Sequence, residues 1–303
     1  MRIPHPFPYQ GSKRHLARSI LRFFPSDIET LYEPFAGSAA ITIAAACDSL
    51  ANRFVLNDLN QPLIELWIQI INQPTSILAA YDQLWNEQDG QERVYYNLVR
   101  ERFNQTKRPD YLLYLLARCV KASVRYNSNG DFNQSPDNRR KGMHPETISG
   151  HISSVSSLLR GKTECLSGDY KASLKGATEY DLVYLDPPYQ GVSNNRDARY
   201  LEGVLFDDFV AALEGLNRRQ ISFIVSYDGR TGDKVFGETL PTFLNLNLVE
   251  LHAGRSSQST LLGRDDDTYE SLYISPALSE RLKNTVSRTL FPAADLWGMG
   301  ASL

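Results

Sequence analysis

The sequence predicts an α/β protein with one open sheet whose strands are interrupted by a helical insertion. Short apolar segments that end in turn residues alternate with segments of helical period near both ends of the chain. Residues 62–125 keep the helical period and show no strand pattern. We therefore divide the chain into a sheet domain at 1–60 and 145–278, a helical insertion at 61–144 and a tail at 279–303.

The first elements of the sheet domain follow from their hydrophobic pattern. Residues 30–35 form an apolar strand that runs into a tight turn at 36–38, and the alanine-rich residues 39–47 favour a helix. A second strand is predicted at 54–56, and Pro62 then stands where the first turn of a helix tolerates it.

The α/β pattern returns after a polar segment at 126–145, which is rich in Gly and Asn and too long for an ordinary connector. A helix is expected to end at about Leu159. It is followed by four predicted strands, at 163–166, 182–185, 222–226 and 270–274. No element is predicted after Pro276.

Composition indicates a globular protein. Its 303 residues carry 32 Lys and Arg against 35 Asp and Glu, and the net charge of −3 argues against binding nucleic acid by bulk positive charge. Three cysteines are too few for a disulfide framework, so we expect reduced thiols. The sequence has neither a membrane-spanning apolar segment nor a secretory signal, so we expect a cytoplasmic protein.

The predicted strand at 182–185 leads directly into Asp186, Pro187, Pro188 and Tyr189. The prolines fix φ and remove two N–H donors, and ligands of open α/β sheets bind at this end of the strands. A rigid turn that merely ends the strand is the alternative interpretation. The position directly after an apolar strand favours a functional role.

Three further motifs precede this tetrapeptide in the chain: Pro8-Tyr9-Gln10-Gly11-Ser12-Lys13, Tyr32-Glu33-Pro34-Phe35-Ala36-Gly37-Ser38 and Asn57-Asp58-Leu59-Asn60. The four motifs and their order along the chain resemble those of the DNA adenine N6-methyltransferases of the Dam type, which use S-adenosylmethionine. The resemblance implies a Rossmann-like sheet of seven strands with an inserted helical target-recognition domain. It also implies methyl transfer to a flipped-out adenine in duplex DNA.

The chemistry of the tetrapeptide agrees with this activity. The exocyclic amine of adenine is a poor nucleophile because its lone pair is delocalised into the ring. The Asp186 carboxylate and the Pro187 carbonyl can accept its two hydrogens, which favours a tetrahedral nitrogen. Tyr189 would stack on the flipped base, an interaction worth about 1–3 kcal/mol. Asp186, Pro187, Pro188 and Tyr189 are the predicted catalytic residues, and no metal is required.

The resemblance assigns the cofactor to a set of residues at strand ends and in the amino-terminal motif, namely Tyr9, Lys13, Glu33, Pro34, Phe35, Gly37, Ser38, Asp58, Asp169 and Asp186. Asp58 lies about 20 residues beyond the Gly37 turn, where a carboxylate can accept from both ribose hydroxyls. That spacing also suits a dinucleotide-binding oxidoreductase, but the turn lacks the G-x-G-x-x-G fingerprint of a pyrophosphate site. Ala39 stands where the family usually has a second glycine. The alternatives are a surface turn acid for Asp169 and a solvated helix start for Lys13.

Residues 100–145 contain ten Lys and Arg but only four Asp and Glu, so a segment of net +6 lies within a chain of net −3. The resemblance places target recognition here. Predicted DNA contacts are Arg125, Asn127, Asn133, Gln134, Arg139, Arg140 and Lys141, joined by Arg255 and Ser256 from a later hydroxyl-rich loop. A solvated charged face is the alternative interpretation for Lys107 and Arg108, and a flexible hairpin is the alternative for the later loop.

Other function classes stay open at this point. An RNA adenine methyltransferase or another amino-group methyltransferase would share the proline–aromatic motif, although that motif usually begins with Asn. A non-catalytic DNA-binding protein would have little use for Asp186 at a strand end. The sequence does not decide the DNA recognition sequence or the oligomeric state. It also leaves open whether a methylase of this kind would be solitary or would have a cognate restriction endonuclease as partner.

Overall fold

The computed structural model describes residues 3–188, 204–231, 234–236, 239–255 and 267–290. The strands in this part of the chain are β1 (Ile28–Glu33), β2 (Ala51–Asp58), β3 (Thr163–Ser167), β4 (Leu182–Leu185), β5 (Ser222–Thr231), β6 (Lys234–Phe236), β7 (Asn247–Arg255) and β8 (Asp267–Ile274). The helices are α1 (Ala17–Leu21), α2 (Ala40–Cys47), α3 (Gln61–Asn72), α4 (Pro74–Glu87), α5 (Glu92–Thr106), α6 (Pro109–Arg118), α7 (Pro145–Leu159), α8 (Tyr170–Ser173), α9 (Phe206–Arg218) and α10 (Pro276–Leu290). Within those residues, no helix combines the length and the apolar composition that a membrane span requires.

The strands form one sheet in the order β3-β2-β1-β4-β5-β8-β7, with the short β6 paired to β5. Strands β3, β2, β1, β4 and β5 are parallel, and β8 is antiparallel to both of its neighbours. The predicted α/β class and seven-stranded path are confirmed. The chain leaves β1 toward β2 on one side and returns to β4 on the other, so a crevice opens at the carboxyl ends of β1 and β4.

Alternation along β4 shows that helices cover both faces of the sheet. Leu182 and Tyr184 belong to the larger core cluster, which includes residues of α1, α2, α3 and α7. Val183 and Leu185 belong to a second cluster with residues of α9. All four β4 residues are buried, as expected for a parallel strand covered on both sides.

The helical insertion predicted at 61–144 packs against the sheet domain. Helix α3 contacts β2, β3 and α7, and α4 contacts α7. Trp67 of α3, Tyr96 of α5 and Leu113 of α6 lie in the same core cluster as Leu31 of β1. The core is therefore continuous from the sheet into the insertion, and the domain boundary at 60/61 stays a prediction.

The polar segment that follows α6 folds back on itself. Cys119 lies opposite Pro136, and Tyr126 lies opposite Phe132, in antiparallel pairing. At the tip, the Asn127 side-chain oxygen accepts hydrogen bonds from the backbone N–H groups of Asn129 and Asp131, both at 2.9 Å. The segment is thus a hairpin carried by the insertion. Because it carries Arg125, Asn127, Asn133 and Gln134, which are predicted to contact DNA, we call residues 119–136 the recognition hairpin below.

The expectation that no element follows Pro276 is wrong, because α10 begins at this residue. Its Arg281 donates to the backbone carbonyls of Asp27, Tyr180 and Asp181 at 2.8, 3.1 and 3.1 Å. The guanidinium also pairs with the Asp27 carboxylate at 2.9 Å. These contacts tie α10 to the amino ends of β1 and β4, a long-range attachment that sequence periodicity does not reveal.

Substituting Arg281→Ala should lower the free energy of unfolding by about 1.5–3 kcal/mol, because several charge-assisted hydrogen bonds from a largely buried side chain are lost. Urea unfolding followed by circular dichroism measures the change. Lys283→Ala, which removes an exposed cation from the same helix, is the matched control. Equal stability of the two variants would contradict the anchoring role of Arg281.

Candidate active site

A cavity of about 570 Å³ opens at the carboxyl ends of β1, β2, β3 and β4. This volume is typical of small-molecule sites. Its lining includes every predicted cofactor residue and every predicted catalytic residue that the structure describes, namely Tyr9, Lys13, Glu33, Pro34, Phe35, Gly37, Ser38, Asp58, Asp169, Asp186, Pro187 and Pro188. Tyr189 lies outside the described residues. The fold thus gathers residues that are up to 179 positions apart, from Tyr9 to Pro188, at one site.

The turn after β1 brings the backbone close to the cavity. Gly37 has φ +46°, and a Cβ built there would lie 3.1 Å from the Tyr9 ring, so this ring packs on the glycine. The Gly37 carbonyl accepts a hydrogen bond from the Trp67 indole N–H at 2.9 Å. The turn is therefore held between the amino-terminal motif and α3.

Ala39 keeps the turn geometry without a second glycine. It is fully buried and adopts a left-handed conformation, φ +46° and ψ +36°, directly before α2. For a residue with a Cβ this conformation costs roughly 1–2 kcal/mol. The surrounding packing holds Ala39 in this conformation in spite of that cost.

Asn57 and Asp58 tie the ends of three strands together. The buried Asn57 amide donates to the carbonyls of Pro34 and Gly168, both at 3.0 Å. The Asp58 carboxylate accepts from the backbone N–H groups of Gly37 at 3.0 Å and Asn60 at 2.9 Å. Desolvation raises the pKa of Asp58, and the two N–H groups oppose that rise.

Glu33 ends β1 with a carboxylate that is almost fully removed from water, at 4% exposure. It accepts a hydrogen bond from the Thr42 N–H in the first turn of α2 at 2.9 Å, where the helix dipole favours a negative charge. Burial nevertheless raises the pKa of Glu33 to about 7. Its charge near neutral pH is therefore sensitive to any charged group that enters the cavity.

Asp186, Lys13 and Glu270 form a charged cluster at the other side of the cavity. The Lys13 ammonium lies 3.2 Å from an Asp186 oxygen and 2.7 Å from a Glu270 oxygen. Lys13 is only 8% exposed, so it is not the solvated helix start considered as an alternative. Burial raises the pKa of Asp186 to about 6, while Lys13 opposes the rise and Glu270 adds to it.

An aromatic wall and a polar rim complete the cavity. The rings of Phe35 and Tyr170 lie 5.0 Å apart at 33°. Asp169 is exposed at the rim, where its carboxylate accepts from the Lys171 N–H at 2.7 Å and caps α8. The Lys171 ammonium lies 3.1 Å from Asp208 of α9. Asp169 therefore combines a capping role with a place on the cavity lining.

Among the described residues, Arg125, Asn127, Asn133, Gln134, Arg139, Arg140 and Lys141, which are predicted to contact DNA, are not part of the cavity lining. Asn133, Arg139 and Arg140 are exposed. The Gln134 side chain donates to the Val120 carbonyl at 3.0 Å, and the Asn127 amide holds the hairpin tip, so both are engaged within the recognition hairpin.

The other predicted DNA contacts differ in their surroundings. The Lys141 ammonium lies 2.6 Å from Asp89 and 3.1 Å from Glu92. Arg125 is exposed on the recognition hairpin, and Arg255 is the last residue of β7. Ser256 lies outside the described residues.

Two groups at the site escaped the sequence analysis as individual residues. The Tyr126 hydroxyl donates to the Asn60 side chain at 3.1 Å and links the recognition hairpin to the Asp58 loop. Glu270 lies on β8, two and four positions before the buried Leu272 and Ile274. An acid on the inward-facing period of a predicted strand was the signal that could have identified it.

Within the described ranges, no three His, Cys, Asp or Glu side chains gather in a way that could hold a metal ion. The carboxylates of Glu33, Asp58 and Asp186 contact backbone N–H groups and the Lys13 ammonium in the part of the chain that the structure describes.

Comparison with known proteins gives one family. Residues 9–251 match the model of the D12 class N6 adenine-specific DNA methyltransferases. A DNA N-6-adenine-methyltransferase of Escherichia phage P1 is 26% identical over 236 residues, which cover 74% of this chain and 29% of that protein.

Two further relatives carry related names. The Type II methyltransferase M1.LlaDCHI of Lactococcus lactis subsp. cremoris is 28% identical over 60% of this chain and 64% of its own length. The DNA adenine methylase of Escherichia coli K12 is 27% identical over 72% of this chain and 78% of its own length. The chain thus spans less than two thirds of the phage and lactococcal proteins.

Substituting Gly37→Ala should destabilise the protein more than the φ cost of about 1–2 kcal/mol, because the new Cβ also meets the Tyr9 ring. Gly161→Ala is the matched control, since Gly161 has φ +74° and open space around the added Cβ. Urea unfolding of both variants measures the difference. Equal destabilisation would show that Tyr9 does not pack on Gly37.

Proposed function

We propose that this chain, which belongs to the D12 class of N6 adenine-specific DNA methyltransferases, transfers a methyl group from S-adenosylmethionine to the exocyclic amine of adenine in duplex DNA. The observation that carries the proposal is the position of Asp186. Its carboxylate follows β4 directly, lines the cavity beside Pro187, and keeps 20% of its side chain exposed. An acceptor pair for an amine therefore stands at the strand end where ligands of such sheets bind.

The cavity residues fit S-adenosylmethionine by their donor and acceptor chemistry. Each Asp58 oxygen accepts one backbone N–H and keeps capacity for a ribose hydroxyl. Glu33 offers a buried carboxylate to the ammonium of the methionine part. Phe35 and Tyr170 offer apolar ring surface to the adenine part. The contact of Lys13 with the methionine carboxylate stays a prediction beside its pairing with Asp186.

In the proposed reaction, Asp186 and Pro187 hold the substrate amine. When bound, S-adenosylmethionine supplies an electrophilic methyl group, because its positively charged sulfur leaves as a neutral thioether. The Asp186 carboxylate and the Pro187 carbonyl accept hydrogen bonds from the two N–H groups, so the nitrogen becomes tetrahedral and its lone pair localises toward the methyl carbon. The methylated nitrogen then carries a positive charge and releases one proton, for which Asp186 is the adjacent acceptor.

The exposed basic and amide groups of the insertion are proposed to bind the DNA. Arg139 and Arg140 are exposed and suit phosphate contacts, as does Arg125 on the recognition hairpin. Asn133 is exposed and is proposed to read a base edge. Tyr189 and Ser256 keep their predicted roles in base stacking and in phosphate binding.

Substituting Asp186→Asn should lower the methylation rate by about 10²–10³-fold, because an amide N–H₂ in place of one oxygen opposes the substrate amine. Transfer of a labelled methyl group to plasmid DNA, followed by sequencing that detects N6-methyladenine, measures the rate. Cofactor binding measured by calorimetry should stay largely intact. Asp82→Asn, at an exposed position of α4, is the control. Undiminished turnover, or methylation of RNA in preference to duplex DNA, would contradict the proposal.

Replacing Arg139 and Arg140 together by Gln should weaken DNA binding and lower the slope of log K against log salt by about 0.9 for each lost phosphate contact. Lys141→Gln should change the slope less, because Asp89 and Glu92 already neutralise this ammonium. Fluorescence anisotropy between low and moderate salt measures both slopes. An unchanged slope in the double variant would exclude this segment from the phosphate contacts.

A further inference from the structure

We propose that Glu270 is a positioning residue for Asp186. Glu270 takes the Lys13 ammonium as its closer partner and thereby keeps Asp186 a strong hydrogen-bond acceptor. This inference rests on the proposed function and adds to it a residue beyond the matched range of 9–251. The residues involved are Ser226 on β5, which donates to Glu270 on β8, and Lys13, which contacts both Glu270 and Asp186.

The distances assign Lys13 to Glu270 more closely than to Asp186. The ammonium is 2.7 Å from the Glu270 oxygen and 3.2 Å from the Asp186 oxygen. The side chains of Lys13 and Glu270 are 9% and 13% exposed, so water screens this pair weakly. The Ser226 hydroxyl donates to the same Glu270 oxygen and fixes its position.

The sheet is shaped to bring Glu270 to this place. Leu185 pairs with Val225, so Asp186, which follows the end of β4, lies at the level of Ser226 in the neighbouring β5. The register between β5 and β8 shifts between Ser226 and Gly229, and Gly229 then lies opposite Glu270. A Cβ at Gly229 would lie 2.7 Å from the Tyr269 carbonyl, so the two strands approach more closely there than a side chain allows. Such irregularities re-aim side chains near functional sites.

The Asp186 and Glu270 carboxylates share the Lys13 ammonium, and this sharing determines how strongly Asp186 accepts hydrogen bonds. An ammonium that paired with Asp186 alone would draw electron density from its oxygens and compete with the substrate amine for them. Glu270 takes most of that interaction, so Asp186 stays in place and keeps its affinity for N–H hydrogens. Among the described residues, the charged groups that act on Asp186 are Lys13, Glu270 and Glu33.

The test compares Glu270→Gln with the wild-type protein over pH. The variant keeps the shape of the side chain but leaves Asp186 as the anion beside Lys13. We expect kcat on the plateau to fall about 10–100-fold, as is typical when the partner of a functional group is lost. We also expect the acid limb of kcat/KM, near the wild-type Asp186 pKa of about 6, to move to lower pH.

The direction of the limb shift follows from the charges. Glu270 raises the pKa of Asp186 and Lys13 lowers it, so removal of the Glu270 charge lets Lys13 dominate. Asp186 then stays ionised at lower pH but is a weaker acceptor. A slower plateau with an unmoved acid limb would mean that Glu270 only supports the structure, and the inference would be overturned.

Two further variants keep the test decisive. Ser226→Ala, at a fully buried position, removes the donor that stabilises the Glu270 charge and should move the limb in the same direction by a smaller amount. This variant decides the outcome if Glu270→Gln does not fold. Glu280→Gln removes an exposed carboxylate on α10 and should leave rate and limb unchanged.

A carboxyl titration separates this inference from the proposed function. Carbon-13 NMR of aspartate-labelled protein, with the Asp186 signal assigned by Asp186→Asn, follows the Asp186 pKa without any turnover. A downward shift of that pKa in Glu270→Gln supports the coupling even if the wild-type protein does not methylate DNA. An unshifted signal contradicts the coupling even if the wild-type protein is fully active.

Discussion

Three carboxylates that are largely removed from water, those of Glu33, Asp58 and Asp186, face one cavity, and the chain must compensate each of them to fold. The compensation differs in each case. Asp58 receives two backbone N–H groups, Glu33 receives the first turn of α2, and Asp186 receives the Lys13 ammonium. Burial still raises the pKa of all three. A positive charge placed among these carboxylates would offset part of the desolvation that raises their pKa values.

One of the groups that stabilise the Asp58 carboxylate also connects the cavity to the helical insertion. Asn60 donates its backbone N–H to Asp58 and accepts the Tyr126 hydroxyl through its side chain. The Gln10 N–H donates to the Ala122 carbonyl at 3.0 Å, so the amino-terminal motif also touches the recognition hairpin. The hairpin is therefore hydrogen-bonded to two of the loops that line the cavity.

The charge of the insertion is less available than its net +6 indicates. Arg118 is buried at 3% exposure, and Arg108 forms a bidentate pair with Asp110. The Lys107 ammonium donates to the Gly130 carbonyl at 3.1 Å and supports the hairpin tip. Much of the basic character thus serves folding, whereas Arg139 and Arg140, which are proposed to contact phosphate, are exposed.

The sequence by itself determined the open α/β sheet, the helical segments between its strands and the residues at the strand ends. Periodicity and turn chemistry are local, and Gly37, Asp58 and Asp186 each follow directly from the strand before them. Tertiary structure decided the rest. Helix α10 is anchored by Arg281 on distant loops, and Ala39 is held left-handed by its surroundings. Glu270 contacts Lys13, which lies 257 positions earlier in the sequence, and a register shift between β5 and β8 brings Glu270 to this place. Such pairings depend on which strands meet and in which register, and a chain pattern with a period of two or 3.6 residues carries no record of either.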